Sequence, residues 1–272
     1  MKLGLFTMPY MRLSLERAFS DAKRFGYDGV EVWGGRPHAY APDLVGGASE
    51  IGELADSYGL PVIGYTPEMN AYPYNMMAGN EAMRRDCVDY VKLSLDAAVE
   101  MDAGFMLVSA GHAGYEVTRT QYWPRLIKNL REISAHAEEI GMDVLLEPLT
   151  PYESNVVVTI NDIVAALDEV GSPRLLGMCD LVPPFCNREP IMGYFEKLGA
   201  RMRHVHLVDG DGQSDTHMMP GDGRIPIRQL LREMEASGYS GYCTIELISA
   251  IMNEPSLGSA LAIERVRELL KG

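Results

Sequence analysis

Short apolar runs and longer amphipathic stretches alternate from one end of the chain to the other. The runs LGLFT (3–7), GVEVW (29–33), PVIGYT (61–66), GFMLVSA (104–110), MDVLLE (142–147), RLLGMCD (174–180), MRHVHLVD (202–209) and YCTIEL (242–247) have the length and residue types of strands. Between them, helical spacing of apolar residues predicts helices over LERAFSDAKRFG, SEIGELADSYG, EAMRRDCVDYVKLSLDAAVEMDAG, YWPRLIKNLREISAHAEEIG, INDIVAALDEVG, PIMGYFEKLGARM, IRQLLREMEASG and SLGSALAIERVRELL. Several of these end in glycine, the usual residue just past a helix C-terminus. Strands alternating with helices imply parallel βαβ units, and eight of each close naturally into a (β/α)8 barrel of the α/β class. An open doubly wound sheet is the alternative, but no GxGxxG follows the first strand. No linker or low-complexity segment interrupts the pattern, so residues 1–272 read as one domain.

The connections are uneven. Those after strands two, three and seven are long and rich in Gly, Pro, His and aromatic residues: GGRPHAYAPDLVGG, PEMNAYPYNMMAGN and GDGQSDTHMMPGDGR. Those leading into strands are short, such as FGYD, IGM and SGYSG. In a barrel the loops after strands carry the active site, and the asymmetry fits that rule.

Composition narrows the partners. The net charge of −14 argues against a nucleic-acid partner, which wants a basic face. The four cysteines, Cys87, Cys179, Cys186 and Cys243, form no CxxC pair and no disulfide framework; Cys179 and Cys243 read as small core residues. No stretch approaches the length of a membrane span, and the first residues lack a secretory h-region, so a cytoplasmic protein with no membrane partner is expected. A homo-oligomer is compatible with everything in the chain.

The last four runs each bring one metal-capable side chain to the C-terminal end of their strand: Glu147, Asp180, His206 and Glu246. Neighbouring strands lie about 4.8 Å apart, so four such side chains pointing inward at equivalent depth can converge on one ion. Three carboxylates and one imidazole favour Mn²⁺, Mg²⁺ or Co²⁺ over a thiolate-type zinc site. Separate salt bridges are the competing explanation, but no Lys or Arg lies within the same strand ends. His204 has the same parity as His206 one side-chain pair lower and reads as a satisfied interior histidine. Glu153, Asp215, His217, His112, Trp33, Arg36, His38 and Glu68 lie on the loops around this point as candidate substrate contacts. The Asp215-x-His217 pair reads as substrate contacts or ligand orienters, with a second metal as the alternative. Tyr10 either faces the mouth or packs in a turn.

The stretches VWGGRPHAYAPDL, IGYTPEMNAYPYNMM, SAGHAGY, LLEPLTPYESNVV, VDGDGQSDTHMMPGDG and the late MNEP resemble the xylose-isomerase-like TIM-barrel superfamily, and within it the ketose 3-epimerases, over nearly the whole chain. The resemblance implies one divalent ion (Mn, Co, Mg or Ni) held by Glu147, Asp180, His206 and Glu246. It makes the two glutamates the acid/base pair as well, and gives Glu153 contacts to sugar hydroxyls. Two positions depart from the pattern of the free-ketose enzymes. Pro183 stands where they carry His, and Gly212 where they carry Arg, which leaves room for a substituent at C1 such as the lysine arm of a ketosamine like fructoselysine. The expected reaction is epimerisation at C3. The C3 proton, α to a carbonyl polarised by the ion, is removed on one face of an enediolate and returned on the other. An aldose–ketose isomerase with the same site is the alternative. An apurinic endonuclease, which wants a basic face, and a non-catalytic sugar-binding barrel fit less well.

Overall fold

In the computed structural model, which describes residues 1–77, 79–248, 251 and 253–271, eight strands form where the apolar runs lie. They are β1 (Lys2–Phe6), β2 (Gly29–Gly34), β3 (Val62–Pro67), β4 (Met106–Ser109), β5 (Val144–Glu147), β6 (Leu175–Asp180), β7 (Met202–Leu207) and β8 (Tyr242–Ile245). All pairings are parallel, and β8 closes on β1 through Lys2↔Tyr242 to Leu5↔Ile245, so the sheet is a closed barrel in chain order. Met252, within the MNEP stretch, lies outside the described residues.

The helices are α1 (Leu15–Phe25), α2 (Ser49–Tyr58), α3 (Glu81–Glu100), α4 (Arg119–Ile140), α5 (Ile160–Val170), α6 (Val182–Cys186), α7 (Met192–Leu198), α8 (Ile227–Ala236) and α9 (Pro255–Lys271). Their ends follow local chemistry. The Ser14 side chain accepts from the Arg17 N–H at 3.2 Å to start α1, and Gly26, at φ +80°, ends it. α4 begins three residues before the expected Tyr122, because the Gln121 side chain turns back to accept from the Thr118 N–H at 2.8 Å. α6 is a further short helix that the apolar pattern does not mark; prolines in a first turn give up only N–H groups that have no partner there.

Alternate strand residues face outward into one core shared with the helices, where Leu5, Val30, Val144 and Val205 meet Phe19, Leu95, Leu126 and Leu130. Each such fully buried side chain contributes about 1.5–3 kcal/mol. Cys179 and Cys243 belong to this core, and all four cysteines are free thiols. Tyr10 is buried here too, outside the barrel, with its hydroxyl 3.1 Å from Ser259 and 3.2 Å from Asp21.

The lumen is divided by depth. At the lower end Phe105, Leu107, Leu145 and Met178 form a small apolar cluster of their own. Ile63 fills the floor beside β1 and β2, which yield to it with glycines: a Cβ on Gly4 would stand 2.5 Å from Ile63, and one on Gly29 2.4 Å. Nearer the C-terminal ends of the strands the lumen turns polar.

The loop between β7 and α8 is organised around one acid. The carboxylate of Asp209, 1% exposed, accepts from the backbone N–H groups of Gly210, Gly221, Gly223 and Ile225 at 2.9–3.0 Å. Its backbone pairs with that of Met218 in both directions. Gly223 approaches so closely that a Cβ there would lie 2.2 Å from Asp209 Oδ1.

Candidate active site and metal centre

Glu147 and Asp180 are the last residues of β5 and β6, His206 is next to last in β7, and Glu246 directly follows β8. The ladder places them unevenly. Asp180 pairs with His206, but His206 pairs with Thr244, two residues before Glu246. The four are not on one rung, as equal depth along the strands would require. Strand tilt around the barrel, not equivalent sequence position, brings their side chains together.

They do converge. His206 Nδ1 lies 3.1 Å from Glu147 Oε1 and 3.1 Å from Glu246 Oε2. The ligand atoms of Glu147, Asp180 and His206 all fall within 4.8 Å of one another. His217 joins them from the β7–α8 loop, with Nε2 3.3 Å from both Asp180 Oδ2 and Glu246 Oε2, and Asp180, His217 and Glu246 form a second set of the same dimension.

The donor chemistry fits a divalent cation. His206 Nδ1 and Glu246 Oε2 are buried and make no hydrogen bond, although they face each other. Acceptor oxygens gathered around a bare imidazole nitrogen are mutually repulsive unless a cation or a proton lies between them. Protonation equilibria reflect the same strain. Burial, with Glu246 and Asp180 nearby, raises Glu147 to about 7 although His206 opposes the shift. Burial alone would raise Glu246 and lower His206 and His217. Their mutual attraction, with Glu31 also acting on His206, outweighs it, depressing the acid and raising both imidazoles.

Behind His206 sits a residue that the sequence reading passed over. Glu31, in the middle of β2, is completely buried. Its Oε1 lies 3.0 Å from His206 Nε2 and accepts from the Thr66 hydroxyl at 2.6 Å, while Oε2 lies 2.9 Å from His204 Nε2. His204 is thereby an interior histidine with a carboxylate partner. The available signal was parity: in GVEVWG, Glu31 shares a face with Gly29 and Trp33 and so faces the lumen.

In front of the cluster opens a cavity of about 220 Å³. Phe6, Trp33, Met69, Leu107 and Leu149 supply apolar wall; Glu68, Glu147, Glu153, Asp180, Asp215 and Glu246 bring carboxylates, and no Lys or Arg is among the described lining residues. A larger hollow of about 760 Å³ lies between α7, α8 and the start of β8, but among the described residues it brings together no cluster of ligating side chains.

The loop candidates divide in two. Trp33, Glu68, Glu153, Asp215 and His217 line the cavity. Trp33 Nε1 donates to Glu68 at 2.9 Å, and Glu153 accepts from the backbone N–H and hydroxyl of Thr150 at 3.1 and 2.9 Å. The Asp215-x-His217 pair splits: His217 turns to the ligand cluster, whereas Asp215 acts on Glu153 and has a buried oxygen, Oδ1, without a hydrogen-bond partner. Burial and the proximity of Asp215 raise Glu153 to about 8, and burial raises Asp215 too.

Arg36, His38 and His112 do not line the cavity. Arg36 forms a bidentate pair with exposed Asp43 at 2.6 and 2.8 Å. His38 Nε2 turns to the Leu13 carbonyl at 2.7 Å. His112 Nδ1 accepts from the Gly114 N–H at 2.8 Å, its ring edge-on to Tyr115. Of the two departures noted in sequence, Pro183 is buried in the first turn of α6. Gly212 stands at φ +73°, where a Cβ would lie 2.9 Å from Phe185, so a side chain there would be strained.

Residues 19–269 match the family described as Xylose isomerase-like TIM barrel. Over 271 residues, 99% of this chain and 98% of the relative, the sequence is 55% identical to the fructoselysine 3-epimerase of Escherichia coli O157:H7, and it is 55% identical to that of Shigella flexneri over the same shares. Among solved structures, the 3-keto-D-glucoside 4-epimerase of E. coli superposes with a TM-score of 0.83 at 20% identity, covering 98% of this chain and 99% of that one. The D-psicose 3-epimerase of Clostridium cellulolyticum H10 gives 0.81 at 18%, covering 99% of each. At these identities the two structural likenesses concern the fold.

Proposed function

The chain belongs to the xylose isomerase-like TIM-barrel family and is a sugar epimerase of the ketose 3-epimerase kind; from that premise we propose that it inverts C3 of a ketosamine, interconverting fructoselysine and psicoselysine. The observation that carries the chemistry is the pair Glu147 and Glu246, both 3.1 Å from one imidazole nitrogen and reaching it from β5 and from the end of β8. Inversion at a carbon needs one group to take a proton from one face and a second to return it to the other. Two carboxylates on separate strands, flanking one position at the base of a cavity, supply that arrangement. Before the ion is bound, burial raises Glu147 to about 7. Which glutamate removes the proton depends on the configuration of the substrate that enters.

Glu147, Asp180, His206 and Glu246, with His217 beside them, would hold the divalent ion. When bound it supplies a Lewis acid that acidifies the proton α to the ketose carbonyl. Trp33 and Phe6 wall the cavity in which the open-chain sugar would lie, and their apolar surface limits the access of bulk water.

The cavity charge favours a ketosamine over a free ketose. One divalent ion offsets two of the six carboxylates at the cavity wall and His217 one more, and among the described lining residues no Lys or Arg offsets the rest. An ammonium at C1 would do so. Glu153 and Asp215 are the carboxylates that lie outside the ligand cluster and act on each other, so we assign them to the amine and the adjoining hydroxyls. Incubation with fructoselysine, psicose, fructose and tagatose in D₂O tests the assignment, with deuterium located by NMR. Deuterium at C3 of fructoselysine is expected. Exchange at C1 or C2 would make the enzyme an isomerase of the aldose–ketose type, and exchange confined to the free hexoses would remove the ketosamine.

A further inference from the structure

We propose that Glu31 is a positioning residue for His206, holding the imidazole proton on Nε2 so that Nδ1 is presented bare to the ion. The inference rests on His206 being a metal ligand. Glu31 has no solvent contact, and both its oxygens are engaged. An ionised carboxylate only accepts hydrogen bonds, so every nitrogen in contact with it must donate. The two histidine contacts therefore fix two tautomers: His204 and His206 each carry a proton on Nε2. His204 agrees independently, because its Nδ1 is buried with no donor or acceptor beside it, as suits a bare lone pair that nothing uses.

For His206 the consequence is functional. A neutral imidazole has one N–H and one lone pair, and two sets of carboxylates compete for the proton. Glu147 and Glu246 draw it to Nδ1 from the cavity side, and Glu31 draws it to Nε2 from behind. Were Glu31 absent, a proton on Nδ1 would satisfy Glu147 and Glu246 and block the nitrogen that has to bind the ion. Thr66, which donates to the same oxygen that meets His206, fixes the carboxylate in its plane. Such a partner behind a ligating histidine raises the basicity of the ligand and locks its ring.

Manganese titration by calorimetry tests this in wild type, Glu31→Gln and the apolar double variant Glu31→Met/His204→Met. The double variant removes the buried acid together with its other partner, and exchange of a buried pair for apolar groups is generally tolerated. Affinity roughly 10- to 100-fold weaker in both variants, at unchanged stoichiometry, is expected. A merely structural acid would behave otherwise: Mn²⁺ affinity restored to within twofold of wild type in the double variant, or never lost in Glu31→Gln, overturns the proposal. Wild-type protein that takes up no divalent ion overturns the ligand assignment itself, a different result from equal binding by all three. The Zn²⁺-loaded wild type gives a reading that needs no variant to fold. Two-bond ¹H–¹⁵N spectra should place the His206 proton on Nε2, and a proton on Nδ1 overturns the proposal.

Discussion

Glu31 on β2 and Glu246 at the end of β8 are both lumen-facing acids, both buried, and they stand on opposite sides of the same imidazole. Glu31 is saturated: three donors from β3 and β7 occupy its two oxygens. Glu246 has a buried oxygen that no hydrogen bond reaches. The half of the barrel from β1 to β4 thus contributes an acid that the fold has finished with, and the half from β5 to β8 contributes acids left open. Burial alone does not separate framework from chemistry here. What separates them is whether the carboxylate oxygens are already used.

The contrast is broken most severely by neutralising the open acids. Glu147→Gln and Glu246→Gln should each lower turnover by roughly 10²- to 10⁴-fold, the usual worth of a positioned acid or base, while leaving the circular-dichroism spectrum unchanged. Substantial residual exchange at C3 in either variant would sink the two-carboxylate scheme. A change of pH comes next. Below its raised value of about 7, Glu147 binds a proton that an incoming ion must expel, and His206, also raised, holds a second. Metal affinity should therefore fall as pH drops through 7, by about tenfold per unit for each proton displaced, and level off once both are lost on the alkaline side. Calorimetric titrations between pH 5.5 and 8.5 read this directly; a flat profile would mean that the ion binds elsewhere.

Smaller effects sharpen the division within the cavity. Asp215→Asn removes a carboxylate with an open oxygen but no place among the clustered ligands. It should raise KM for fructoselysine by about tenfold, the loss of one charge-assisted hydrogen bond, with kcat for free psicose little changed. Equal losses on both substrates would place Asp215 with the machinery common to all ketoses. Arg36→Ala should leave both substrates within twofold, since Arg36 is already spent on exposed Asp43.

The architecture was legible because the barrel's logic is local. Each strand is an apolar run, several helices end in their own glycine stop signal, and a polar side chain near the C-terminal end of such a run faces the mouth. That is why Glu147, Asp180, His206 and Glu246 were readable as a group. Glu31 was not, since it lies in the first half of β2, far from the strand's C-terminal end, and only the face it shares with Gly29 and Trp33 marks it. Arg36, His38 and His112 lie away from the cavity lining for a different reason. They sit on long loops, where distance along the chain says which end of the barrel a residue reaches but not which way its side chain turns. His38 and His112 turn to backbone groups of their surroundings, and Arg36 to a neighbouring acid. The stagger of the ligands across the ladder was likewise invisible, because it belongs to the tilt of the closed sheet and to no single strand.

Asp209 fixes the β7–α8 loop from its two ends, at Gly210 on one side and at Gly221, Gly223 and Ile225 on the other, and leaves residues 211–217 outside that clasp. The segment that carries Asp215 is thereby an exchangeable cassette. Its contour is set by anchoring residues that touch no substrate, so the recognition residues between them can be rewritten while the anchors stay. A protein engineer seeking a new C1 specificity can edit that stretch around Asp215, keeping His217 at the ligand cluster, without reopening the barrel.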